Sequence, residues 1–298
     1  MKLCINCGHR FTASGWMCES CGHVPRKLAG FLAFAPELSV DNENYDPAVY
    51  DALVKLEERN FWFQARNKLI LWAIRKHAAE AGNYLEVGCG TGFVLTTVQK
   101  AFPQMEVSAG ELYLQGLRHA AARVADGVDL FQMDARHIPY VEEFDLIGAF
   151  DVIEHVKEDT TVLHQMHGAL RPGGHLLLTV PQHKFLWSQF DEAARHVRRY
   201  SKDELHGKVE AAGFSILRST SFVFFLLPLM LLSRLPNRGK ENLDRLDELR
   251  IGRLVNTALA GVMELEQAII RLGMRLPMGG SRLLVARKRT AANASGST

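Results

Sequence analysis

The hydrophobic pattern of this chain changes rhythm along its length. From residue 84 onward, apolar runs of strand length alternate with stretches whose apolar positions recur every three or four residues, the spacing of one helix face. The runs predict strands at 84–88, 105–110, 128–133, 144–150, 175–180, 214–221 and 281–288. Helices are expected between them at 93–101, 113–124, 158–170 and 201–212. The last of these opens on Ser201 with Glu204 three residues on, a capping box, and closes at Gly213. Leu170-Arg171-Pro172-Gly173-Gly174 reads as a turn. Strands and helices in this alternation form a mostly parallel sheet covered by helices on both faces.

Other segments depart from that rhythm. Residues 26–48 carry prolines, acids and no strong periodicity, and read as a linker. Residues 49–80 read as helix, in one piece or two, and contain the adjacent aromatics Phe61, Trp62 and Phe63. Three neighbouring side chains cannot share one helix face, so at least one is expected to cover a ligand or another segment. Residues 222–280 form an insert before the last strand. It begins with an apolar run from Phe222 to Leu232, too short for an ordinary membrane span. It continues into a helix over 254–276 with Val262, Leu265, Ile269, Leu272 and Leu276 on one stripe. Arg218, Arg234, Arg238 and Lys240 surround the apolar run, which suggests peripheral contact with a membrane surface or a lipid-linked acceptor. The plainer reading is a private core or a dimer face. Residues 289–298 read as a disordered tail.

Composition adds bounds rather than direction. With 47% hydrophobic and 23% charged residues over 298 positions, the chain can bury one large α/β domain with appendages. Lys+Arg 35 against Asp+Glu 33 leaves a net charge of +2, which by itself favours no nucleic-acid partner. The N-terminus has no apolar signal core, so a reducing cytoplasm is the expected location.

The cysteines are organised. Cys4-x2-Cys7 and Cys18-x2-Cys21 both continue Gly-His, as Gly8-His9 and Gly22-His23. Two such knuckles offer four thiolates to a tetrahedral structural Zn2+, and so short a segment (residues 1–25) needs the metal to fold. Four protein thiolates would leave no open position for catalysis.

The most informative segment is Leu85-Glu86-Val87-Gly88-Cys89-Gly90-Thr91-Gly92. A strand end, a loop with glycines at 88, 90 and 92 and a helix start let backbone N–H groups approach a ligand closely. The spacing is not the G-x-G-x-x-G of dinucleotide enzymes, and Glu86 suits a ligand with a cationic amino-acid end. Cys89 reads as a small packed residue. Three further acids, Glu111, Asp134 and Asp151, end later strands, where open α/β sheets bind ligands.

These features resemble the class I S-adenosylmethionine-dependent methyltransferases of the ubiquinone- and menaquinone-methylating type. The resemblance spans about residues 61–221 and 281–288, and includes Met133-Asp134-Ala135, Asp151-Val152-Ile153-Glu154-His155-Val156 and the Leu170–Gly174 turn. It implies a Rossmann-like seven-stranded α/β sheet with an antiparallel last strand, and a cofactor domain over 49–221 completed by 281–288. It further implies S-adenosylmethionine held by Glu86, Gly88, Cys89, Gly90, Gly92, Glu111, Asp134, Ala135 and Asp151. Glu111 would accept the ribose hydroxyls, Asp134 the adenine amino group, and Ala135 would face a ring nitrogen. His155 and His196 are candidate general bases, His196 favoured, with Asp151 near the transferred methyl group. Asp151, Glu154 and His155 also resemble a divalent-metal cluster of quinone O-methyltransferases. Arg198 and Arg199 would suit an anionic acceptor. The expected activity is O- or C-methylation of a small-molecule acceptor, lipid-linked ones included. The alternatives are an rRNA or tRNA methyltransferase using the ribbon for RNA contact, and a non-catalytic zinc-ribbon adaptor.

Overall fold

The computed structural model describes residues 1–39, 47–234 and 251–290. The strand runs fold as their pattern requires. β5 (Asn83–Val87), β6 (Glu106–Glu111), β7 (Asp129–Gln132), β8 (Phe144–Phe150), β9 (Leu170–Pro181), β10 (Phe214–Phe222) and β11 (Ser281–Lys288) make one sheet. Its order is β10-β11-β9-β8-β5-β6-β7, with β11 antiparallel to both neighbours and the pairs among β5 to β9 parallel. The chain starts at the central β5, builds outward through β6 and β7, then returns to the other side with β8, so the order reverses beside β5. Such reversals open a crevice at the strands' carboxyl ends.

Both faces of the sheet are buried, and alternate residues go to opposite sides. Tyr84, Leu146 and Leu177 pack in one apolar cluster with α2 (Phe61–His77), α3 (Phe93–Ala101) and α4 (Leu114–Arg123). Leu85, Ile147, Leu176 and Leu178 pack in the other with α5 (Asp159–Ala169) and α7 (Lys202–Ala211). That is the pleat's period of two acting on near-continuous apolar runs. The turn expected at Leu170–Gly174 is instead the irregular start of β9, with a register shift against β8 and Gly173 at φ +79°.

The linker expectation for residues 26–48 needs correction. β3 (Lys27–Leu28) and β4 (Phe31–Ala33) form a hairpin, and β4 pairs in parallel with β7, making a nine-stranded sheet. Leu28-Ala29-Gly30-Phe31 supplies the turn and the apolar edge, too short for a periodicity search to register. A short 3-10 turn (Pro36–Leu38) follows, residues 40–46 lie outside the described residues, and α1 (Pro47–Glu57) comes next.

The insert is seated on the domain. α8 (Leu227–Arg234) leads away from β10, and α9 (Arg253–Arg271) lies along α2. The buried face of α9 is Met263, Glu266, Gln267 and Ile270, not the anticipated stripe: Leu265 and Leu272 are 60% and 83% exposed. Polar anchoring explains the rotation. Glu266 accepts the backbone N–H groups of Val223, Phe224 and Phe225, Gln267 donates to the Ala65 carbonyl, and Asn256 accepts from Phe61 N and donates to Arg59 O. Arg238, Lys240 and the tail positions 291–298 lie outside the described residues.

Candidate active site

A cavity of about 870 Å³ opens at the carboxyl ends of β5, β6 and β8. Among its lining residues are Glu86, Gly88, Cys89, Gly90, Glu111, Asp134, Ala135 and Asp151. Gly90, at φ +52°, has open space where a side chain would stand, so the loop's backbone is bare toward the cavity. Gly88 is fixed differently: a Cβ there would come within 2.7 Å of Val152. Gly92 is absent from the lining. A Cβ on it would fall 2.8 Å from Ala120 Cα, so this glycine packs α3 against α4 rather than touching a ligand.

The acids are held in place before any ligand arrives. Glu111 accepts from Gly90 N at 2.9 Å and Tyr113 N at 3.1 Å, and its burial pushes the carboxyl pKa up against those hydrogen bonds. Burial pushes Glu86 up to about 8, although the Tyr84 hydroxyl donates to it at 2.9 Å. It is therefore largely protonated at neutral pH, and a ligand ammonium group would draw the proton off. Burial also acts on Asp134, but the Arg136 side chain and backbone N–H outweigh it and hold the pKa below the ordinary value. Asp151, at φ +57°, pairs with Arg66 and accepts from Thr179 Oγ1 at 3.2 Å. Arg66 itself lies against the rings of Trp62 and Phe63, at 4.8 and 5.5 Å. Two of the three aromatics thus line the cavity, while Phe61 turns its N–H to Asn256.

α1 closes the loop side. Glu57 accepts from Thr91 Oγ1 at 2.8 Å and pairs with Arg123 at 2.6 Å, and Tyr50 donates to Glu111 at 3.4 Å. These contacts, and the Arg66–Asp151 pair, escaped the reading of the sequence. Arg66 stands in the flagged aromatic segment, but nothing local tells an inward arginine from a solvated one.

On the far wall, the structure brings both candidate bases together. The His155 and His196 rings are 4.7 Å apart. His196 Nδ1 faces Asp191 Oδ1 at 2.8 Å, so donation to that carboxylate leaves Nε2 as an acceptor. Asp191 is fully buried in α6 (Gln189–Ala193). Burial would raise its pKa, but hydrogen bonds from His196 and Arg199 take it down to about 2. His155 is exposed toward the open cavity, yet the atoms packed around it, then the neighbouring His196, push its pKa down to about 4. Glu154 is buried with both oxygens unpartnered among the described residues, and burial followed by the Asp151 charge raises its pKa. Ligand atoms of Glu154, His155 and His196 lie within 4.8 Å of one another, a spacing a divalent cation can bridge. Asp151, which the resemblance placed in such a cluster, is committed to Arg66 instead.

Arg198 and Arg199 do not form a free anion clamp. Arg199 spends Nε on Asp191 at 2.7 Å, and Arg198 pairs with Asp159 and donates to the Lys157 carbonyl. Sequence spacing carried no sign of Asp191, whose role emerges only when its helix folds back on the His196 loop.

The four cysteines converge. Cys4 and Cys21 sulfurs are 3.7 Å apart, as are those of Cys7 and Cys18. A tetrahedron with Zn–S bonds of about 2.3 Å has sulfur edges of about 3.8 Å, so the set fits that metal. Gly8 N donates to Cys4 O and Gly22 N to Cys18 O, two equivalent knuckles that require φ near +70°. His9 and His23 stay outside the cluster.

Comparison with known proteins agrees with this architecture. The profile of a methyltransferase domain matches residues 54–219. The biotin biosynthesis bifunctional protein BioHC of Teredinibacter turnerae is 24% identical over 186 residues, covering 56% of this chain and 32% of that protein. The ubiquinone/menaquinone biosynthesis C-methyltransferase of Desulfotalea psychrophila is 27% identical over 96 residues, covering 32% of this chain and 39% of that protein. The chain thus spans between 32% and 39% of the length of these two relatives. Haemonchus contortus phosphoethanolamine N-methyltransferase 2, solved with phosphomonomethylethanolamine and S-adenosylhomocysteine, has a TM-score of 0.56 at 18% identity, over 84% of this chain and 60% of that one. At that identity the likeness is one of fold. The matched domain takes in more than half of the residues and the whole glycine-loop wall, and on that footing the chain belongs to the methyltransferase-domain family.

Proposed function

We propose that this methyltransferase acts on oxygen or carbon of a small acceptor carrying an apolar, lipid-like portion, with His196 as general base. The observation that carries the reading is the composition of one cavity. Its loop wall presents Glu86, Gly90 and Glu111, its far wall presents His155 and His196, and its rim reaches Met230 of α8. Beyond Met230 the same segment exposes Phe225, Leu229, Leu231 and Leu232, by 41% to 63%. An acceptor head between the histidines would leave an apolar tail beside these side chains.

Bound S-adenosylmethionine supplies an electrophilic methyl group on a sulfonium. In this reading Glu86 and Glu111 hold its cationic and hydroxyl groups, and Asp134 with Ala135 edges the adenine. The Asp191 carboxylate fixes the His196 tautomer, so Nε2 is free to take a proton from an acceptor hydroxyl or acidic C–H. His155, neutral, adds no competing positive charge beside it. The ubiquinone/menaquinone relative carries a C-methyltransferase name, which is consistent with carbon as the accepting atom.

The test is transfer of labelled methyl groups into fractionated lipid extracts, polar metabolites and RNA. Label in an apolar small-molecule fraction, lost in His196→Ala with S-adenosylhomocysteine binding retained, is the expected result. Label confined to RNA or to polar metabolites overturns the acceptor assignment.

A further inference from the structure

We infer that the cysteine ribbon is a clamp on the adenine side of the cavity, so that zinc occupancy sets cofactor affinity. This rests on the readings that the cysteines hold Zn2+ and that Asp134 and Ala135 edge the adenine site.

The segment from Asp134 to Val141 connects β7 to the following strand and carries both adenine residues. It hangs between two anchors. At its start, β4 holds β7. Phe34 N donates to Gln132 O at 2.8 Å, and the fully buried Gln132 side chain accepts from Ala35 N and donates to Ala35 O and Leu112 O. At its end, the first strand of the ribbon, β1 (Lys2–Leu3), holds the chain. Leu3 N donates to Pro139 O, Val141 N donates to Met1 O, and Lys2 is bridged to Tyr140. In between, the segment's bonds are mostly local: His137 N to Asp134 O, Arg136 through its N–H and side chain to Asp134, and Tyr140 N to Ile138 O, with Ile138 N to Gln165 and Arg136 to Glu158 reaching outside it.

Trp16 joins the ribbon to both anchors. Its ring sits 4.4 Å from Phe34 and 5.4 Å from Tyr140, and Tyr140 is 5.8 Å from Phe131 of β7. Lys2 lies over the indole at 5.2 Å and ties down the ribbon turn through the carbonyls of Ala13, Ser14 and Gly15. The ribbon's own buried cluster is only Cys4, Phe11 and Cys18, with Ala13 and Trp16 packed against it. Such a core cannot keep β1 and Trp16 in register without the metal. Losing zinc therefore frees the far anchor of the adenine segment and leaves the glycine loop and its acids untouched. The coupling is reciprocal, so cofactor binding tightens zinc affinity by the factor by which zinc tightens cofactor binding.

The experiment is calorimetric titration of the zinc-loaded and zinc-stripped full chain with S-adenosylhomocysteine, alongside amide hydrogen exchange. Stripping is expected to weaken binding about tenfold, and Trp16→Ala with zinc retained about threefold. Exchange should accelerate across 134–141 and stay unchanged across 85–92. At equilibrium, less zinc should pass to a competing chromophoric chelator when S-adenosylhomocysteine is present. Equal affinity with and without zinc overturns the clamp, as does an exchange increase spread equally over both segments, which marks global loosening. Absence of binding by zinc-loaded protein instead defeats the cofactor-site reading on which the clamp rests.

Discussion

The two walls of the cavity are built on different plans. The loop wall is backbone and strand-end carboxylate, already bonded: Glu111 to Gly90 and Tyr113, Asp134 to Arg136. The far wall is side chains brought from separate places, His155 from the turn after β8, Phe190 from α6, His196 from the loop beyond it with Asp191 buried behind it, and Met230 from the insert. A wall of the first kind serves one invariant ligand. A wall of the second kind can be rebuilt for another acceptor without disturbing the sheet.

The sharpest way to break that distinction is to damage the loop wall. Glu111→Ala leaves the Gly90 and Tyr113 N–H groups without their carboxylate. It is expected to weaken S-adenosylhomocysteine binding roughly 100-fold, ~3 kcal/mol, by calorimetry. His196→Ala should change the same titration less than threefold. A comparable loss in both variants would mean that the two walls are not separable.

Next in size is Asp191. Its folded pKa of about 2 lies below the ordinary carboxylate value, so it stabilises the fold at pH above about 4. That contribution is lost as pH falls toward 2. Asp191→Asn is expected to lower stability at pH 7 by roughly 2 kcal/mol and to flatten the acid limb of the denaturation profile between pH 4 and 2. An unchanged acid limb would show that Asp191 does not carry the charge assigned to it.

A smaller effect separates Glu86 from Glu111. Because burial raises Glu86 to about 8 in the free protein, binding a cationic amino-acid group must release its proton. Affinity for S-adenosylhomocysteine should rise about tenfold from pH 6.5 to 7.5. Glu86→Gln should remove the slope. A flat wild-type profile would place the ammonium elsewhere.

The smallest expected change is on the insert. Leu231→Ser and Leu232→Ser sit at exposed positions and should shift stability by less than about 0.5 kcal/mol. They should nevertheless reduce co-sedimentation with anionic phospholipid vesicles. Unaltered vesicle binding, or none in the parent, would remove lipid contact from the acceptor reading.

The loop wall was legible because its residues lie at fixed distances along the chain: the glycines follow β5, and each acid stands at or within two residues of the end of a strand whose apolar run announces it. The exception, Gly92, shows the limit of spacing. Its place in the pattern is set by Ala120 of α4, a contact between helices that no local motif encodes. The far wall was half legible. His155 and His196 drew notice as titratable residues in loops, but Asp191 and Arg66 act through partners 5 and 85 residues away. The stripe on α9 misled for a related reason. Buried Glu266 and Gln267 outrank apolar periodicity there, because they satisfy backbone groups that would otherwise be stranded.

Those same polar residues decide how the insert can be altered. Asn256, Glu266 and Gln267 bolt α9 to the first turn of α2, to the exit of β10 and to the Ala65 carbonyl. A graft that exchanged 222–280 as a cassette would leave Phe61 N without its acceptor and the Arg59 and Ala65 carbonyls without their donors. Under the proposed acceptor reading, a change of acceptor is therefore a matter of repainting α8 while keeping the joinery of α9.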